Sequence, residues 1–211
     1  MNSRNARFLR QSVQVIGLGN TSFDRLLANI DRIHALFKRA TGPFLQDEAG
    51  VSYFEEFAAI DASNRYFNPR IGRNREVECP LTTNIDPKGF LKKAAGDLFV
   101  HTEENKVYYY EKHKAVLEKL GKQILTIAFV ASELNIICLS FKEAGPQIFQ
   151  EGDIVELQVS FIVVPVRDQK CQMSIILRGV TLLEGIFTQV SAILKTTRCV
   201  VDANILIRMH L

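Results

Sequence analysis

Residues 152–184 constrain the fold more than any other part of the chain. In GDIVELQVSFIVVPV, Val155, Leu157, Val159, Phe161 and Val163 alternate with Glu156, Gln158 and Ser160. That is the period of a strand whose two faces meet different surroundings. The next four residues, RDQK, have turn chemistry. CQMSIILRGVTLL then alternates again, with Met173, Ile175 and Leu177 on one side. Two such runs predict a long antiparallel hairpin with one buried face. Ile176, Val180 and Leu182 have the opposite parity, so the end of the second strand is expected to be covered on both sides. A hairpin alone is marginal in water, so the rest of the chain must supply the layer that covers it.

The composition allows such a layer. The chain has 211 residues, 47% hydrophobic and 23% charged, within the range of ordinary globular domains. In residues 22–40, Phe23, Leu26, Leu27, Ile30, Ile33, Leu36 and Phe37 recur at helical spacing, which predicts an amphipathic helix. Thr21 or Ser22 is placed to cap it, and Gly42-Pro43 to stop it. A weaker helix is predicted at 52–62. Further strands are predicted at 76–82, 97–101 and 106–111, the last two as a hairpin around Glu103–Asn105. Asp86 and Pro87 mark the start of a helical turn. Residues 112–148 read as a helical and apolar insertion. The fold class is therefore α+β. A helical region at 1–64 precedes a small antiparallel sheet or partly open barrel at 65–187, and 188–211 form a tail without a predicted partner. Residues 121–140 and the tail break the patterning, as translated intron sequence would.

Several function classes are excluded or weakened. VIGLGNTSF resembles the start of a dinucleotide-binding fold, but the third small residue of that fingerprint is replaced by Ser22 and no parallel strand is predicted after the helix. Gly17 and Gly19 are read instead as a turn that lets the helix dock. GLGN also resembles four residues of the peptidyl-tRNA hydrolase signature, whose Thr-Arg-His-Asn continuation is missing. Cys79, Cys138, Cys171 and Cys199 form no C-x-x-C pair, so neither structural zinc nor any other cofactor is expected. Residues 124–141 are apolar but carry Ser132, Glu133 and Asn135, which argues against a membrane span. Without a secretory signal, the chain reads as intracellular. His101 with Glu103 is the one metal-enzyme candidate, and it lacks the further ligands that deaminases or oxygenases need.

Basic and aromatic residues point elsewhere. The net charge is only +3, yet residues 1–40 hold seven Arg or Lys against two Asp. NRYFNPRIGRNRE interleaves Arg65, Arg70, Arg73 and Arg75 with Tyr66 and Phe67; Lys88, Lys92 and Lys93 follow. In single-stranded nucleic-acid grooves, such charges track phosphate and such rings stack on bases. One of Tyr108–Tyr110, taken as Tyr109, is expected to add a third ring. The expected function is a non-enzymatic binding module for nucleic acid or chromatin. The alternatives are a protein–protein or homodimer surface built on 124–141, and more remotely the His101/Glu103 metal enzyme.

Two resemblances bear on this. FQEGDIVELQVSFIVVPVRDQKCQMSIILRGVTLLE resembles the terminal hairpin of oligonucleotide-binding barrels of the replication protein A type. That resemblance implies a five-stranded barrel binding single strands across one face. RFLRQSVQVIGLGNTSFDRLLANIDRIHALF, DPKGFLKKAAGDLFVHTEENKVYYYE and GDIVELQVSFIVVPV are together similar to a set of uncharacterised proteins of mushroom-forming fungi, which implies no activity.

Overall fold

The computed structural model describes residues 3–47, 50–70, 77–114, 139–184 and 206–210. In chain order the elements are β1 (Arg10–Ile16), α1 (Thr21–Thr41), β2 (Val51–Phe54), β3 (Phe57–Arg65), β4 (Asn68–Pro69), α2 (Phe90–Ala95), β5 (Phe99–Val100), β6 (Tyr108–Lys114), β7 (Leu139–Glu143), β8 (Ile154–Pro165), β9 (Cys171–Glu184) and β10 (Leu206–His210). Among the described residues, eight strands form one sheet in the order β10-β1-β3-β9-β6-β7, with β2 beside β3 and β8 beside β9. The class is α+β, and the sheet is not a closed barrel. It is also mixed, which corrects the antiparallel expectation: β3 and β6 both run parallel to β9.

The β8–β9 hairpin is the predicted one. Its register sets Val155, Leu157, Val159, Phe161 and Val163 opposite Leu182, Val180, Leu177, Ile175 and Met173. Directly opposed residues share a face. The parity expected for Val180 and Leu182 is therefore corrected, because Gln158 faces Gly179 while Val159 faces Leu177, leaving Arg178 as an extra residue on β9. This bulge switches the strand's parity and returns both side chains to the buried face. Helix α1 covers that face. Phe23, Leu27, Ile30, Ile33 and Phe37 pack with Val13, Val15, Ile60, Met173, Ile175 and Leu177, each buried aliphatic or aromatic side chain contributing about 1.5–3 kcal/mol. Leu26 and Leu36 are 46% and 60% exposed, outside the expected apolar stripe.

Asn20, rather than Thr21 or Ser22, caps α1, its Oδ1 accepting from the Ser22 N–H at 2.8 Å. Gly17 is required by close packing: a Cβ there would lie 2.2 Å from Phe23 Cγ. A strand does follow α1 into the sheet: β2 runs parallel to β1, since both are antiparallel to β3, but β3 lies between them. The two strands that α1 joins are therefore not neighbours, as the dinucleotide-binding unit requires.

The helix expected at 52–62 is the β2–β3 hairpin, so the N-terminal region is not purely helical and gives strands to the same sheet as β8 and β9. The expected hairpin across 97–111 does not form. β5 pairs with β4, whereas β6 pairs with β9. The strand expected at 76–82 is reduced to one bridge, Glu78 to Thr102, with residue 76 outside the described residues. Of the expected insertion, residues 112–114 extend β6 and 139–143 form β7; 115–138 lie outside the described residues. The end of the tail pairs with β1 as β10; 185–205 lie outside the described residues. No described helix is long and apolar enough to cross a membrane. A second cluster of Ala6, Tyr66, Phe67, Ala95 and Phe99 ties α2 and the β4–β5 pair to the chain before β1.

Candidate functional site

Most of the expected aromatic stackers are core residues. Tyr66 and Phe67 are 4% and 2% exposed in the second cluster. Burial, then the nearby Asp86 charge, pushes the Tyr66 phenol up to about 12. Tyr109 also points inward. Its ring lies 5.8 Å from that of Phe149, and its hydroxyl donates to Gln11 Oε1 at 3.1 Å. Burial first, then the Tyr66 charge, raises its phenol above the usual range. None of the three can meet a base. Strand alternation instead turns Tyr108 and Tyr110 to the other face. Their rings are 6.4 Å apart and within 8° of parallel, and Tyr108 is 44% exposed.

The expected cations are dispersed. Arg70 donates to Glu78 Oε2 at 2.9 Å. Lys88, Lys92 and Lys93 are exposed in or just before α2, whose Ala94 and Ala95 face inward. Gly89, not Asp86, occupies the N-cap position; the Asp86 carboxylate reaches further, accepting from the Lys92 N–H at 2.9 Å. Arg73 and Arg75 lie outside the described residues. Arg65 ends β3, exposed on the sheet face turned away from α1.

His101 and Glu103 do not converge as metal ligands. The buried His101 is bonded through Nδ1 to the Tyr66 carbonyl at 2.7 Å. Burial outweighs that bond and lowers its pKa. Glu103 faces outward and accepts from Lys106 Nζ at 2.6 Å and the Tyr108 hydroxyl at 2.9 Å. The Lys106 bond, then the Tyr108 bond, hold its carboxyl below the usual range. Among the described residues, no three His, Cys, Asp or Glu side chains are grouped to hold a metal.

What the sequence reading missed is a seam in the sheet. β3 meets β9 at one bridge, Ser63 to Ile176, and β6 takes over the same edge of β9 from Gly179 onward. Side-chain amides fill the gap between them. Asn64 Nδ2 donates to the Glu104 carbonyl at 2.8 Å and the Leu177 carbonyl at 3.2 Å. Gln11 Nε2 donates to the Asn105 carbonyl at 3.0 Å. Asn105 in turn closes a capping box with Thr102, whose N–H and hydroxyl both donate to Asn105 Oδ1. The segment 101–105 is therefore a plug and not a solvated turn. The available signal was Gln11 and Asn64 at inward strand positions, since a buried amide needs partners.

Beside the seam the open face forms a cleft of about 580 Å³, within the size range of ligand sites. Arg10, Arg65 and Arg178 line it from β1, β3 and β9, and Ile162, Val164 and Ile176 give it an apolar side. Arg10 and Arg65 are direct partners across the β1–β3 ladder. Arg178, freed from pairing by the bulge, donates through Nη1 to the Glu104 carbonyl at 2.7 Å, the same oxygen that Asn64 bonds. Burial, then the Arg65 charge, lowers the Arg10 pKa. Asp61 and Glu104 also border the cleft, but among the described residues no ion pair joins either to an arginine. No family model matches the chain, and no curated protein or solved structure is significantly similar to it.

Proposed function

We propose that this protein is a non-enzymatic binding module that takes single-stranded nucleic acid across the open face of its sheet. The observation that carries this reading is the parallel Tyr108–Tyr110 pair, which strand alternation turns away from α1, toward the face that bears Arg10, Arg65 and Arg178. Two rings at alternate strand positions offer a platform for successive bases, which stack without regard to sequence. Guanidinium groups supply the phosphate contacts. Arg65 is kept from the expected set, while Tyr108 and Tyr110 replace Tyr66, Phe67 and Tyr109.

The test is fluorescence anisotropy with a labelled strand of roughly twelve nucleotides, within the usual site size of such folds. Tyr108→Ala is expected to weaken binding by about 5- to 150-fold, the worth of one stacked base. Absence of binding at about 50 mM salt, where phosphate contacts are strongest, would sink the proposal. So would a Tyr108→Ala, Tyr110→Ala double variant that binds like the parent. Salt-insensitive self-association would instead favour a protein interface along the outer strand β7, where Phe141 is 57% exposed.

A further inference from the structure

We infer that the cleft seats a phosphate monoester between Arg10 and Arg65, so that the open face reads a phosphorylated strand end or a free nucleotide in preference to an internal phosphodiester. The inference rests on the binding surface proposed above and concerns its arginines, not its tyrosines.

The first observation is a like-charge pair. Arg10 and Arg65 are Cα partners on adjacent strands, where directly opposed side chains of like charge destabilise a sheet. Neither has a carboxylate ion-pair partner among the described residues. Among the described residues, Arg10's side-chain partner is the Ser63 hydroxyl, 3.3 Å from Nη1. That bond holds its guanidinium on the open face, and the hydroxyl keeps its own proton to donate. An anion between the two forks removes the repulsion and uses their planar, bidentate geometry.

The second observation is the amount and position of charge. Arg178 is anchored at the same cleft by the Glu104 carbonyl and by the Ser160 hydroxyl, which lies 3.2 Å from Nε. Three cations exceed what one phosphodiester, with a single negative charge, can neutralise. A monoester carries about −1.5 to −2 near neutral pH. Asp61 and Glu104 at the border confine the positive charge to one point of the cleft. The apolar side formed by Ile162, Val164 and Ile176 suits the sugar or base attached to that phosphate.

The experiment compares two strands, alike except for a 5′-phosphate or a 5′-hydroxyl, on the full chain. The phosphorylated strand is expected to bind about tenfold or more tightly, the worth of a charge-assisted hydrogen-bond pair. Arg65→Gln, an exposed and therefore foldable change, should weaken both strands but the phosphorylated one by the larger factor, so that the preference is lost. Arg65→Lys, which keeps the charge but loses the fork, should retain only part of it. Equal affinity of the two strands for the parent protein overturns the inference. Inorganic phosphate and a nucleoside monophosphate are tested separately by thermal shift, against chloride at matched ionic strength. If they stabilise the parent but not Arg65→Gln while neither strand binds, the nucleic-acid reading fails and the phosphate seat stands, with a free nucleotide as its ligand. If neither strand binds and neither phosphate compound stabilises the parent, the seat fails with it.

Discussion

At the scale of single residues, the determinants of this fold are side chains that only one partner permits. Gly17 is buried against Phe23, where even a methyl group would overlap the ring. Gly17→Ala is expected to cost about 1–3 kcal/mol through overpacking, read as a lower urea midpoint with an unchanged m-value. Asn64 is the polar counterpart. It is 6% exposed and bonds two backbone carbonyls, those of Glu104 and Leu177. Asn64→Ala should therefore destabilise by about 1–3 kcal/mol, the Glu104 carbonyl keeping its bond from Arg178. His101 gives a pH dependence of defined sign. Its folded pKa lies below the ordinary value of 6.5, chiefly through burial. Its stabilising contribution is complete above the unfolded-state value and is lost as pH falls from there through the lower folded pKa. Urea midpoints measured down this range should fall for the parent and fall less for His101→Gln; equal slopes would exclude His101 as the cause.

At the scale of elements, legibility depended on whether a strand's buried face was uniformly apolar. β8 and β9 were readable because five consecutive inward positions on each strand are apolar. β3 was not. Its inward positions Ile60, Ala62 and Asn64 end in an amide, and Ala58, Ala59 and Ala62 favour a helix in isolation. The turn that makes β2 and β3 a hairpin contains no glycine, although Glu55 has φ 53°. Pairing with β1 overrode the local preference. The candidate site was illegible for a related reason. Tyr66, Phe67 and Tyr109 read as exposed rings because nothing in the sequence near them announces the second core or the direction of β6. Arg10 and Arg178 were overlooked because they are adjacent only through strand pairing and a bulge. The β8–β9 turn offers an element-level test. Asp168 and Gln169 both have positive φ, 59° and 57°, a conformation that costs a non-glycine residue about 1–2 kcal/mol. Gln169→Gly should raise the melting temperature, with a gain of roughly 1 kcal/mol.

At the scale of the whole molecule, two apolar clusters are joined by a polar seam and a single sheet. The sheet divides the molecule into a face covered by α1 and a face that no described helix covers. Charge on the open face is modest, so its salt response should be modest as well. Up to three phosphate charges of a single strand neutralised by Arg10, Arg65 and Arg178 predict a log–log slope of about −2, or roughly 15-fold weaker binding between about 50 and 200 mM salt. A much steeper slope would mean that cations outside the cleft, such as Lys88, Lys92 and Lys93, carry most of the contacts.

The one-bridge contact between β3 and β9 also sets where the molecule yields. A ladder resists separation because each step breaks several backbone bonds together, whereas amide side chains can trade a carbonyl for water one at a time. The β1–β3 leaf is therefore expected to part from β9 before either ladder opens. The amide protons flanking Ser63 and Ile176 should exchange with solvent sooner than those of the hairpin. The seam is a joint, and a phosphate seated between Arg10 and Arg65 would lock it only by also engaging Arg178 on the far side.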